Sequence, residues 1–168
     1  MSLARRHHRY RRGVSLVETM VAAVVLLIAI VGTSAFRYNC ALDARKAKAQ
    51  MAAARIALVL CESWRGSYGN DAFDPLLLAA DDFAIVGADD GPAAPDEFTT
   101  LGTYAVTLND EDQSNVRYVV TLAWMDVESG LRALSATVGW IQRDSGDIAY
   151  TSGNPDKSLK LTTYAQTL

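Results

Sequence analysis

The chain begins polar and arginine-rich, passes Gly13, and then becomes almost wholly apolar. Met20 to Val31 is an unbroken apolar run of 12 residues. Taken from Val14 through Phe36 the segment has 23 residues, about 34 Å of helix, with Glu18 as its single formal charge. That is long enough to cross the hydrocarbon of a membrane. From Arg37 to Arg65 helix-forming residues continue. Ala44, Ala47, Met51, Ala54, Leu58, Cys61 and Trp64 recur at three- and four-residue spacing, which predicts one apolar stripe. Arg45, Lys46, Lys48 and Arg55 largely fill the other faces, and Asp43 stands three residues before Lys46, the spacing of a weak ion pair. No proline interrupts Val14 to Gly66; Gly32 is a place for a bend, and Gly66, Gly69 and Asn70 punctuate the end. A helix over Val14–Arg65 has 52 residues and extends about 78 Å, more than a small globule can bury. Its first half, 14–36, therefore needs lipid or neighbouring chains around it, while 37–66 can carry a domain.

The period then changes. Residues 67–97 hold Pro75, Gly87, Gly91, Pro92 and Pro95 and read as a variable surface loop, with Leu76, Leu77 and Leu78 as a short turn of helix or strand. Beyond Phe98 alternation sets in. Tyr104, Val106 and Leu108 mark one face of a first strand, Tyr118, Val120, Leu122 and Trp124 a second, and Leu134, Ala136, Val138 and Trp140 a third. The polar stretches NDEDQSN and DVESG join them, so 98–143 predicts an antiparallel meander. Its apolar face needs a cover, and the stripe on 37–66 supplies one. Arg117 and Arg132, near strand ends, read as solvated charges. Residues 144–168 form either a loop or an edge strand around Leu159–Tyr164. The fold class is α+β: a long amino-terminal helix whose second half packs on a small antiparallel sheet of three or four strands.

Charge sharpens the division. The 168 residues carry 16 Lys and Arg against 19 Asp and Glu, a net charge of -3. Arg5, Arg6, Arg9, Arg11 and Arg12 all precede Gly13; without them 11 basic residues face 19 acidic ones. An acidic body has no general attraction for a nucleic-acid backbone, so no nucleic-acid partner is expected. The basic cluster reads as a targeting feature that holds the amino terminus in the cytoplasm and places the rest outside. Two processing routes fit. An ordinary secretory signal offers a cut after Ala35, where Thr33-Ser34-Ala35 supplies small residues. A cut after Gly13 would instead keep the helix. Glu18 favours the second, because an acid in lipid must be paired or sheltered.

The string RRG followed by VSLVETMVAAVVLLIAIVG resembles the class III leader and amino-terminal helix of type IV pilins and type II secretion pseudopilins. The resemblance implies that a prepilin peptidase cuts after Gly13 and methylates Val14 as the new first residue. Val14 departs from the family's usual phenylalanine. Glu18 then falls on the family's fifth mature residue, a glutamate that neutralises the terminal amine of an adjoining subunit during assembly. Partners implied are the peptidase, other pilin or pseudopilin subunits along the helix, and an inner-membrane assembly platform. The segment YVVTLAWMDVESGLRALSATVGW also resembles the sheet hairpin of minor pilins, and no paired-cysteine loop of the major-pilin type stands near the end. The expected function is thus that of a minor pilin or pseudopilin, acting in assembly, priming or tip modification. Its expected location is the inner membrane with the head in the periplasm, then the filament. Two other classes remain open: a periplasmic binding or structural domain released by cleavage after Ala35, and a single-span anchored protein without a filament role.

Candidate chemistry is sparse. His7 and His8 are the only histidines and lie in the leader, so no serine–histidine–acid or cysteine–histidine arrangement forms in the mature chain. Asp81, Asp82, Asp89 and Asp90 do not follow calcium-loop spacing, and Asp110, Glu111 and Asp112 crowd a polar turn. Cys40 and Cys61 are 21 residues apart, about 31 Å along one helix, beyond the roughly 7 Å that a disulfide allows. No enzyme activity, catalytic residue, metal or cofactor is expected.

Overall fold

The computed structural model describes residues 15–80, 83–108, 117–141, 155 and 157–167. Helix α1 (Leu16–Gly66) is unbroken through its 51 residues, Gly32 included. Five strands follow: β1 (Phe83–Gly87), β2 (Thr99–Leu108), β3 (Arg117–Glu128), β4 (Leu131–Trp140) and β5 (Lys157–Gln166). They form one antiparallel sheet in the order β1-β2-β3-β4-β5, a meander in which each strand pairs with its neighbour in sequence. The chain divides by compactness after Asp43: one unit holds the apolar half of α1, the other the remainder of α1 and the sheet.

The α+β class stands as predicted, with one correction: the sheet has five strands rather than three or four. The extra one is β1, inside the stretch read as loop. Phe83, Ile85 and Gly87 are too few alternating positions to register as a strand by pattern, and pairing with Val106 and its neighbours defines it. Leu76–Leu78 belong to a 3₁₀ turn, Pro75–Leu78, capped by Asp74, whose carboxylate accepts from the Leu76 amide at 3.0 Å. At the other edge β5 runs ten residues and pairs with β4 along its whole length.

The core lies between the second half of α1 and one face of the sheet. All the strand positions read as apolar on β3 and β4 line it: Tyr118, Val120, Leu122, Leu134, Ala136, Val138 and Trp140 are buried, and Trp124 packs against them. On α1 the buried residues are Ala49, Ala53, Ile56, Ala57, Leu60, Cys61 and Trp64. The predicted stripe is therefore corrected: of its members only Cys61 and Trp64 are buried, while Ala44, Ala47, Met51, Ala54 and Leu58 are exposed. The reason is that α1 is apolar on two opposite sides, so spacing alone selects no face. The side carrying Ile56, Leu60 and Trp64 has the larger volume to bury, each fully burying side chain contributing about 1.5–3 kcal/mol. Nor is the Asp43–Lys46 pair among the described ion pairs, which are Arg65–Glu62 and Arg132–Asp126.

The second face of the sheet is covered as well. Val119, Thr121, Ala123, Ser135, Thr137 and Gly139 are buried. The loop between β1 and β2 crosses it, held where the Thr121 hydroxyl donates to the Pro92 carbonyl at 2.7 Å and the Ala88 amide to Thr103 at 3.0 Å. Gly91 sits so close that a Cβ there would clash with the Thr103 side chain, and a Cβ on Gly139 would come within 2.7 Å of Pro155. Small residues and threonines on this face are what let a loop lie flat on it.

Candidate functional site

Helix α1 starts at Leu16, with Ser15 just before it and Glu18 in the first turn. Ser15 and Glu18 stand three apart, the spacing of a capping box, and a carboxylate in a first turn faces the positive end of the helix dipole. Glu18 is exposed. Gly13 and Val14, the expected cleavage and methylation residues, lie outside the described residues, as do His7 and His8. Around Glu18 the surface is apolar: Leu16 is 76% exposed, Val17 66% and Met20 62%. Val24, Val25, Leu26, Leu27, Ile28 and Val31 continue it, all exposed. From Leu16 to Phe36 is 21 residues, about 31 Å, and this part of α1 is long and apolar enough to cross a membrane. Thr33 turns its hydroxyl back onto the Ala29 and Ile30 carbonyls at 2.9 and 3.0 Å, so that donor is not left for lipid to strand. Ala22, Ala23, Ala29 and Gly32 give small positions where another helix can approach closely; a Cβ on Gly32 would meet nothing within 4 Å.

In the head, α1 ends in a turn with Tyr68 and Gly69 at φ 59° and 63°, closed by the Gly69 amide on the Trp64 carbonyl at 3.0 Å. Trp64 Nε1 donates to the Asn70 carbonyl at 2.7 Å and its ring stacks on Phe73. Arg132, expected to be a solvated charge, is a fastener instead. Its guanidinium donates to Asp126 at 2.7 Å and to the Gly69 carbonyl at 2.9 Å, and lies 3.8 Å from the centre of the Trp124 ring. It thus ties the end of α1 to the β3–β4 hairpin, a role that no local spacing announces because Gly69 is 63 residues away. Arg117 is exposed. Of the two free cysteines, Cys40 is exposed and Cys61 buried. Burial pushes the Cys61 thiol up to about 11 and the Tyr118 phenol up to about 12. Asp89 and Asp90 are exposed on the β1–β2 loop, whereas Asp81, Asp82, Asp110, Glu111 and Asp112 lie outside the described residues. Among the described residues no group of three or more His, Cys, Asp or Glu is set to hold a metal.

The geometry defines a class: an α+β head carried on a helix whose leading half is apolar and exposed on all sides. Residues 8–34 match the family model described as the prokaryotic N-terminal methylation motif. The amino-terminal part of the chain therefore carries that methylation motif, joined to an α+β arrangement of one long helix and a five-stranded antiparallel sheet. No curated protein and no solved structure matches it.

Proposed function

We propose that this protein is a minor pilin or pseudopilin, a structural subunit that takes part in assembling, priming or tipping a type IV pilus or type II secretion pseudopilus. The observation that carries the reading is the methylation motif at 8–34 running directly into the exposed apolar half of α1. A motif cut after Gly13 leaves that helix on the mature chain, and a helix apolar on all sides needs lipid first and other helices afterwards. The precursor sits in the inner membrane with its head in the periplasm. Prepilin peptidase removes residues 1–13 and methylates Val14. Glu18, four residues on, then offers its carboxylate to the terminal amine of a neighbouring subunit, because in lipid both charges are costly until paired. The role is mechanical, and no catalytic residue or cofactor is assigned.

The test is fractionation of cells that make the filament system. Filaments sheared from wild-type cells should contain the processed protein, whereas Gly13→Ala protein should remain in the membrane at precursor size. Processed protein absent from every filament or secretion-complex fraction would contradict the reading.

A further inference from the structure

An open sheet has two edges, each a row of backbone donors and acceptors, and here the two differ. At the β1 edge the chain folds back on itself: the Ala80 amide donates to the Phe83 carbonyl at 2.9 Å and the Phe83 amide to the Ala80 carbonyl at 3.0 Å. At the other edge β5 has ten residues against five in β1, contains no proline and no glycine, and pairs with β4 without a register shift. Its bonding follows from its end. The Thr167 amide donates to the Gly130 carbonyl at 3.0 Å, and the register runs on unbroken from Leu131↔Gln166 to Trp140↔Lys157. Bonded and non-bonded pairs alternate along an antiparallel ladder, so the odd-numbered residues of β5 are bonded to β4. The amides and carbonyls of Ser158, Lys160, Thr162, Tyr164 and Gln166 point away from the sheet, and none has a partner among the described residues.

The side chains along this edge say what kind of strand fits it. Lys160, Thr162 and Tyr164 are exposed on one face, Tyr164 at 58%. Leu159 and Leu161 lie on the other face, half-buried against the core, with Cys61 Sγ 4.0 Å from the Leu161 carbonyl. A strand laid along β5 would cover Leu159 and Leu161 with its apolar side chains and set its polar ones beside Lys160 and Tyr164. Lys157 and Lys160 are the charged residues of β5, and it holds no acid, so the complementary segment is acidic. Pairing β5 with the β5 of a second copy would bring only cations to the junction.

We propose that the free edge of β5 is the docking site for an extended acidic segment of a partner protein, added to the sheet as a further strand. Its backbone bonds to the outward amides and carbonyls from Ser158 to Gln166, and its residues alternate between apolar side chains on the Leu159–Leu161 face and carboxylates beside Lys160. The edge belongs to the head, so this contact goes beyond the filament reading and does not depend on it.

The experiment uses the full processed chain in detergent and a fluorescent probe peptide, Val-Glu-Val-Asp-Val-Glu-Val. Binding is followed by anisotropy and is expected to weaken as salt rises. Two further peptides of the same sequence carry N-methyl groups on alternate residues, one set on the even positions and the other on the odd. One of them should bind as the parent does and the other should lose about tenfold or more, because only one set of amides faces β5. Thr162→Pro removes an outward amide and leaves the bonds to β4, so it should weaken binding by about tenfold with the urea midpoint of the head little changed. Lys160→Glu should weaken it by about fivefold. No binding of the parent peptide, equal binding of both methylated forms, or equal binding of a peptide with the same residues grouped as Val-Val-Val-Val-Glu-Asp-Glu would overturn the proposal. So would a dimer of the chain alone that Thr162→Pro dissociates, since β5 would then be occupied by a second copy. The methylated peptides test the wild-type protein, so the outcome stands even where Thr162→Pro fails to fold.

Discussion

Glu18 and the two cysteines show how position along α1 sets the chemistry of a side chain. Glu18 stands in the first turn among exposed aliphatic residues, and in the proposed assembly the terminal amine of another chain pairs with its carboxylate, whose ionised form is otherwise costly in lipid. Glu18→Ala should therefore cut incorporation into filaments by roughly tenfold or more, equivalent to at least about 1.4 kcal/mol, with the head's circular dichroism unchanged. Wild-type incorporation in that variant would remove the charge-pairing role. Cys40 should alkylate readily in the folded protein while Cys61 does not, since the latter is 1% exposed and its thiol is pushed up to about 11. Because the folded value lies above the ordinary 9.0, the unfolded chain loses its proton first. Head stability should be intact below about pH 9 and fall as pH rises towards about 11, and Tyr118 extends the loss above pH 10. A flat urea midpoint across that range would contradict the burial of both groups. The threonines that face each other across β3 and β4 separate bonded from unbonded hydroxyls. Thr121 donates to Pro92, whereas the Thr137 hydroxyl is buried without a partner. Thr121→Val should destabilise by about 1 kcal/mol and Thr137→Val should be neutral or stabilising, by denaturant titration.

At the scale of elements, α1 separates what pattern can reveal from what it cannot. Its existence, its apolar leading half and its stop near Gly66 were legible, because twelve uninterrupted apolar residues, the missing prolines and the terminal glycines are local signals. The faces of β3 and β4 were legible too, since alternation with a period of two leaves only two choices and Trp124 and Trp140 mark one of them. The buried face of α1's second half was not. With Ala47, Met51, Ala54 and Leu58 on one side and Ala53, Ile56, Leu60 and Trp64 on another, spacing fits both, and only the sheet decides. Leu60→Ala should cost about 2–5 kcal/mol of head stability, whereas Leu58→Ala should change it by less than about 0.5 kcal/mol. Equal losses from the two would contradict the face assigned here. Strand β1 and the Arg132 fastener escaped the sequence for a common reason: both are defined by partners distant in the chain.

The whole molecule is organised by a change of solvent along its length. Residues from Leu16 to Phe36 leave apolar surface exposed, which only lipid or other helices can cover, and the remainder of the chain closes its own core beneath a five-stranded sheet. Beyond Gly13 acid and base are divided in the same direction, with cations concentrated between residues 37 and 55 and acids beyond them. In the proposed function such a chain is inserted, processed at the membrane and passed into a filament. Everything in that sequence depends on the chain keeping its apolar helix while losing its arginine leader. The most direct measurement is intact mass with amino-terminal sequencing after co-expression with a prepilin peptidase, using Gly13→Ala as control. The account predicts a mature chain that starts at methylated Val14 and is lost in the control. A chain that starts after Ala35, or one still carrying its leader, would contradict it.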